Sequence, residues 1–173
     1  MDAAGRRANI MKVLLREATV TGSSLASQLG VTRQVIVQDI AVLRAGGERV
    51  IATPRGYTLL EESTPTGIKI TKLVAVKHDR AHTRDELYAM VDLGLEVVDV
   101  VVEHPIYGQL TGLLSLSSRA EVDQFMRTMD ETSAGLLSSL TNGVHLHSVR
   151  GKDKSQFDAL EAALKTKGYL LVE

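Results

Sequence analysis

From Arg6 to Ala18, the residues Ile10, Val13, Leu14 and Glu17 recur at helical spacing with Arg and Lys on the complementary face, which predicts a first amphipathic helix. The Thr21-Gly22 step ends it. Ser23 or Ser24 then caps a short helix, Leu25 to Leu29, which Gly30 stops with a positive φ, and Thr32 is the next N-cap. A third helix begins at Arg33 and buries Ile36, Ile40 and Leu43, leaving Arg33, Gln34, Val37, Gln38 and Ala41 on its opposite face. Gly46-Gly47 turns the chain, and residues 50–53 and 57–60 read as two strands joined by the tight turn Pro54-Arg55-Gly56. That hairpin is a wing.

Glu61 to Gly67 is polar and broken by Pro and Gly, so a domain boundary is expected there: residues 1–60, a linker at 61–71, and a second domain at 72–173. In the second domain, strand patterns fall at 72–78, 95–103, 109–115 and 143–149, with a short one at 169–172. Helix patterns fall at 84–93, 118–130 and 153–166, and His104-Pro105 marks a turn. This irregular alternation predicts an α+β fold in which a winged helix-turn-helix is followed by an α/β sandwich, a mostly antiparallel sheet with helices on one face. Gly108 to Gly112 lacks the spacing of a dinucleotide loop, so no such site is assigned.

The chain has 173 residues, 44% of them hydrophobic, as expected of a globular protein. Cysteine is absent, which excludes disulfides and thiolate chemistry and leaves any metal to nitrogen and oxygen ligands. The apolar run Ile10 to Leu15 is interrupted by Lys12 and is too short for a membrane span, so a soluble cytoplasmic protein is expected. The net charge of −1 conceals a division. Residues 1–60 carry eight Lys/Arg against four Asp/Glu, a net of +4, and residues 61–173 carry twelve against seventeen, a net of −5. A basic unit suggests a polyanion. Arg and Gln at the start of a helix that follows a tight turn are what major-groove readout needs, since Arg bonds bidentately to guanine and Gln to adenine. Thr32, Arg33, Gln34 and Gln38 therefore form the expected DNA-reading set, with Arg55 at the wing tip reaching a phosphate or the minor groove. The alternative, a three-helix module that binds protein, gives the exposed Arg33/Gln34/Gln38 face no role.

His145-Leu146-His147 is chemically unusual. In a strand both imidazoles project from one face, about 7 Å apart, and can converge on one cation while Leu146 packs the other way into a core. The bland reading is a strand with two half-exposed histidines. His78 closes the first strand of the domain, and Glu86 lies in the first turn of the next helix, after a loop with Asp79, His82 and Asp85. Together these residues offer three imidazoles and a carboxylate, a set suited to zinc, nickel or ferrous iron with positions left open. Taken singly, His78 can equally be a loop histidine, and Glu86 a carboxylate complementing a helix dipole.

Two resemblances bear on these alternatives. The run Gln28-Leu29-Gly30-Val31-Thr32-Arg33-Gln34-Val35-Ile36-Val37-Gln38-Asp39-Ile40 resembles the winged helix-turn-helix of biotin-repressor-like regulators, over residues 6–60. Residues 73–150 resemble the three-histidine domain of niacin-responsive repressors of NAD biosynthesis. The matching segments are Val76-Lys77-His78, Glu86-Leu87-Tyr88, Val91 to Gly94, Asp99 to Gly108, and Leu140 to His147. The resemblance implies a homodimeric repressor that binds operator DNA and is not an enzyme. It also implies a divalent metal on His78, Glu86, His145 and His147, and nicotinic acid as co-repressor. His104, before Pro105, is expected in the ligand pocket, Tyr107 against a small aromatic acid, and Arg84 at its carboxylate; the residues equally allow a structural histidine, a core tyrosine and a surface arginine. Two other functions remain open on the residues: a regulator for which the metal itself is the signal, and a metal-dependent hydrolase with a DNA-binding appendage.

Overall fold

A computed structural model of the protein describes residues 2–60 and 69–171. The predicted boundary segment, Glu61 to Gly67, and Val172 at the end of the last predicted strand lie outside the described residues. The chain divides into two compact units, Met1–Thr64 and Pro65–Glu173. No helix among the described residues is long and apolar enough to cross a membrane.

In the first unit α1 spans Ala3–Arg16, with Asp2 as its N-cap accepting from the Gly5 amide at 2.8 Å. The second helix, α2, is Gly22–Leu29, and Thr21 is its cap, accepting from Ser24 N at 3.1 Å. The Thr21-Gly22 step therefore opens α2 instead of ending α1, and Ser23 and Ser24 lie inside the helix. The reason is Val20, which is buried in the core and pairs with Tyr57 of the wing through two backbone hydrogen bonds of 2.8 and 2.9 Å. The chain must leave α1 early to supply that extended segment. Gly30 ends α2 at φ 65°, and Thr32 caps α3, Arg33–Ala45. Strands β1, Val50–Thr53, and β2, Gly56–Leu59, form the antiparallel wing around Pro54-Arg55. Gly56 sits at φ +131°, where a Cβ would collide with the Val20 carbonyl, so the wing's approach to the helices requires glycine.

Ile10, Leu14, Leu25, Ile36, Ile40 and Val50 make the core of this unit. Asp39 is buried among them, gripped by Arg6 through two hydrogen bonds of 2.5 and 3.2 Å and approached by Arg7 at 3.6 Å. The pair ties α1 to α3, and removing Arg6 would leave the buried Asp39 carboxylate only the longer contact to Arg7.

The second unit runs β3 (Ile70–Lys77), α4 (Thr83–Val91), β4 (Glu96–His104), β5 (Gly108–Leu116), α5 (Arg119–Thr132), β6 (Val144–Gly151) and α6 (Lys154–Lys167). The sheet order is β3-β6-β4-β5, and every neighbouring pair is antiparallel. Val76, Val97, Leu114, Leu116 and Val149 from one sheet face pack against Leu87 and Met90 of α4, Val122 and Met126 of α5, and Phe157, Leu160 and Leu164 of α6. The opposite face leaves Leu73 largely exposed. In place of the predicted fifth strand there is a single bridge between Val76 and Leu170, flanked by hydrogen bonds from Lys77 N to Tyr169 O and from Leu171 N to Ala75 O. It covers part of the β3 edge.

Three irregularities shape the site. Between Val97 and Val101, β4 uses four steps where β6 uses three, Val149 to Leu146, so β4 carries a bulge at Asp99. A one-turn 3₁₀ segment, Leu137–Thr141, precedes β6 and lies against β4, and a second, Arg80–His82, joins β3 to α4.

Candidate metal centre and DNA-reading face

Burial alternates along β6, and the odd residues face the helices: His145 and His147 are each 3% exposed, while Leu146 lies partly exposed on the other face. This inverts the expectation that Leu146 would pack into a core, and it excludes the bland reading of two half-exposed histidines. In the β3–β6 register Val76 stands opposite His145 and Val74 opposite His147. His78 follows the last residue of β3, and its ring is buried; Glu86, one turn into α4, is 0% exposed. Gly143, at φ +85°, brings the entry of β6 against the exit of β3. A Cβ there would collide with the His78 carbonyl, and the His78 amide bonds the Gly143 carbonyl at 3.3 Å.

All three imidazoles point the same nitrogen at Glu86. His78 Nε2 lies 2.6 Å from Oε2, His145 Nε2 3.4 Å from Oε2, and His147 Nε2 3.4 Å from Oε1. The rings stand nearly perpendicular in succession, with centroids 4.9 Å apart for His78 and His145 and 5.0 Å for His145 and His147. Each remaining nitrogen, Nδ1, meets a backbone carbonyl: Asp79 at 2.8 Å, Gly143 at 2.8 Å and Asp99 at 2.7 Å. A carbonyl only accepts, so every Nδ1 carries the proton and donates it. In the neutral rings, three Nε2 lone pairs then face an anionic carboxylate. Lone pairs and a carboxylate repel one another unless a cation, either protons on the rings or a metal ion, lies between them.

Protons answer this in part. Burial alone would raise the Glu86 carboxyl, but the charge of His147 and the hydrogen bonds of His145 and His78 hold it well below its ordinary 4.5. Burial likewise opposes charging of His78 and His147, yet the hydrogen bond and charge of Glu86 raise both above 6.5. Glu86 Oε1 nonetheless has no hydrogen-bond partner among the described residues. The donor set also fits a metal: ligand atoms of His78, Glu86 and His145 lie within 4.8 Å of one another, and His147 addresses the second carboxylate oxygen. Imidazoles whose outer N–H groups are tethered to carbonyls have the tautomer and orientation that metal ligation requires.

Two cavities adjoin the cluster and share Leu136 and Ser138 as a wall. The larger, about 530 Å³, is lined by Lys77, His78, Asp79, Arg80, Ser139 and Asn142 among others. The smaller, about 30 Å³, is lined by His145, His147 and Thr83 and by the apolar Leu87, Val100 and Phe125 among others. Three residues expected at a ligand lie elsewhere. Arg84 is drawn to Asp123 at 3.6 Å. His104 Nδ1 accepts from the Ile106 and Tyr107 amides at 3.2 and 3.3 Å and so closes the β4–β5 turn, with Tyr107, 73% exposed, beside its ring. None of the three lines either cavity. Asp99, Gly143 and the cationic Lys77 and Arg80 were not singled out from sequence for the site. Asp99 alone left a signal, as an acid within the apolar run Val97 to Val102.

On the first unit Thr32, Arg33, Gln34 and Gln38 are exposed, while Val37 is half-buried. Thr32 Oγ1 accepts from Val35 N at 3.4 Å, so its hydroxyl holds the helix start. Arg33 and Arg55 edge one cleft of about 240 Å³ that also includes Ser23 and Tyr57 and lies between the start of α2 and the wing. Arg6 and Arg7, turned onto Asp39, are committed to the fold.

These folds define a class of protein in which a helix-turn-helix unit shares its chain with an α+β domain enclosing a histidine–carboxylate cluster. Residues 6–58 match the HTH domain, and residues 71–173 match the 3H domain. The chain is 41% identical over 169 residues to the probable transcription repressor NiaR of Thermotoga maritima, covering 97% of this chain and 94% of that one. It is 38% identical over 155 residues to the transcription repressor NadR of Bacillus subtilis, covering 90% and 86%. The chain belongs to the 3H-domain family, in the form that carries an N-terminal helix-turn-helix domain.

Proposed function

We propose that this chain is a transcription repressor whose hold on operator DNA is set by nicotinic acid bound beside a divalent metal in the 3H domain, at genes of NAD biosynthesis or niacin uptake. The relatives' names support the repressor reading. The observation that carries the metal is the convergence of three Nε2 atoms on the buried Glu86 while every Nδ1 is held by a carbonyl. His78, Glu86, His145 and His147 would hold zinc, nickel or ferrous iron, which supplies an electrophilic position for the nitrogen or carboxylate of a pyridine acid.

The larger cavity beside His78 supports the organic ligand. Its volume of about 530 Å³ exceeds what a single-ring acid needs, and its wall carries Lys77 beside Asp79 and Arg80, the last paired with Asp130 at 2.8 Å. Arg84, drawn to Asp123, lines neither cavity. A homodimer would set the spacing of two α3 helices on a palindromic site, and the acid would stabilise the DNA-competent arrangement.

The test is calorimetric titration of the metal-loaded and chelated full chain with nicotinic acid, nicotinamide and quinolinic acid, followed by operator-binding assays. The expected result is uptake of nicotinic acid only when metal is present, with tighter operator binding. Operator binding that responds to metal alone, with no effect of any acid, would overturn the co-repressor and leave a metal sensor.

A further inference from the structure

Helix α4 begins with Thr83 and carries Glu86 three residues later, so both side chains project from the same side of the helix. Thr83 is 7% exposed, and its hydroxyl oxygen is buried without a hydrogen-bond partner among the described residues. A threonine at a helix start ordinarily satisfies itself by capping or by bonding the carbonyl four residues back. Neither occurs here. The start of α4 has no side-chain cap, and the Asp79 carbonyl accepts from the His78 ring at 2.8 Å and from the His82 amide at 3.2 Å. Thr83 instead lines the small cavity whose other polar walls include His145 and His147. At about 30 Å³ that cavity admits one water-sized group, facing Leu87, Val100 and Phe125.

We propose that Thr83 is a ligand-binding residue: its hydroxyl donates to an acceptor atom of the effector, such as a carboxylate oxygen, that enters the slot between His145 and His147. The proposal rests on the reading that a small aromatic acid binds at this cluster. A carboxylate oxygen only accepts, and the Thr83 O–H is an uncommitted donor on a residue that lines the slot. The rest of the acid is too large for the slot and must lie along Leu136 and Ser138, the wall shared with the larger cavity. Thr83 thereby fixes which end of the ligand is innermost.

The experiment compares the zinc-loaded full chain with Thr83→Val and Thr83→Ser by calorimetry with nicotinic acid and benzoate, with zinc content and acid-free melting measured on the same samples. Valine keeps the shape and removes an orphaned hydroxyl. Thr83→Val is therefore expected to hold zinc and to melt no lower than wild type, while binding the acid about tenfold more weakly. Thr83→Ser should restore most of the affinity. A residue with a merely structural role would lower melting and affinity together. Wild-type affinity in Thr83→Val, or lost zinc and lowered melting, would overturn the proposal. A wild-type protein that binds benzoate but not nicotinic acid overturns the effector reading, and the benzoate ratio then decides the role of Thr83. Binding of neither acid overturns both.

Discussion

Glu86→Gln keeps the volume of the buried side chain and removes its charge, and the geometry sets the size of the effect. In the metal-free protein the anion lies 2.6 Å from one imidazole nitrogen and 3.4 Å from two others. A hydrogen bond to a charged partner contributes about 1.5–3 kcal/mol, and contacts at the edge of bonding distance add less, so a loss of about 2–4 kcal/mol is expected. At about 4 °C per kcal/mol for a domain of this size, the melting point of the second unit should fall by about 8–16 °C. With zinc the cost differs, because the substitution removes the one anionic ligand. Changing groups that merely orient ligands typically costs 10- to 100-fold in metal affinity, so losing this one should cost about 100-fold or more. At free zinc of about 100 times the wild-type Kd, wild type gains about 2.7 kcal/mol and the variant about 0.4 kcal/mol. Melts followed by circular dichroism with and without zinc, alongside metal content, measure both quantities. A folded Glu86→Gln protein with the wild-type zinc-induced shift would refute the idea that the imidazoles and this carboxylate share an ion.

Three further outcomes are expected. Gln34→Ala should relax sequence preference by about 1–3 kcal/mol at the base it reads, whereas Arg55→Ala should weaken all sequences alike, as binding to operator variants would reveal. Gly143→Ala, at φ +85° and against the His78 carbonyl, should destabilise the second unit by about 1–3 kcal/mol and weaken zinc binding, read by melts and metal titration. The metal-free and metal-loaded proteins should also respond oppositely to pH. His78 and His147 are raised above 6.5, so their contribution to metal-free stability is full below 6.5 and is lost as pH rises through the folded values. Glu86 is held below 4.5, so its contribution is full above 4.5 and is lost as pH falls through the folded value. The metal-free protein should thus be most stable between 4.5 and 6.5, while zinc, which needs deprotonated imidazoles, binds better as pH rises. The gap between the two melting curves should widen from about pH 6 to about pH 8, and a constant gap would contradict this account.

Periodicity carried the fold a long way because it reports which residues must be buried. The stripe Ile36, Ile40 and Leu43 located the third helix, and Gly30 and Thr32 located its start. What periodicity could not convey is that Val20 is needed by the wing, a contact across 37 residues that overrides local helical preference. The alternation at His145 and His147 was legible as a shared face but not as to which face. Histidine is ambivalent toward burial, and only the helices packed on that side decide it. Asp39 was unreadable as a core residue, because what makes its burial tolerable, Arg6, belongs to another helix. Arg84, Tyr107 and His104 looked suited to a ligand by residue type, yet their nearest partners are Asp123 and the turn after β4.

The bulge in β4 sets regularity of the sheet against the quality of the site. In an unbroken ladder the Ser148 amide would bond a main-chain carbonyl of β4; here the Asp99 carboxylate takes it at 3.0 Å, and the Asp99 carbonyl turns to the His147 ring. Deleting one residue from β4 would restore its register with β6, although not with β5, against which β4 is already one residue short between Val97 and Asp99. It would also free the His147 ring to change tautomer and to turn its lone pair away from Glu86. Regularity of the β4–β6 ladder and the hold on the His147 ring therefore draw on the same backbone, and a gain in one is a loss in the other.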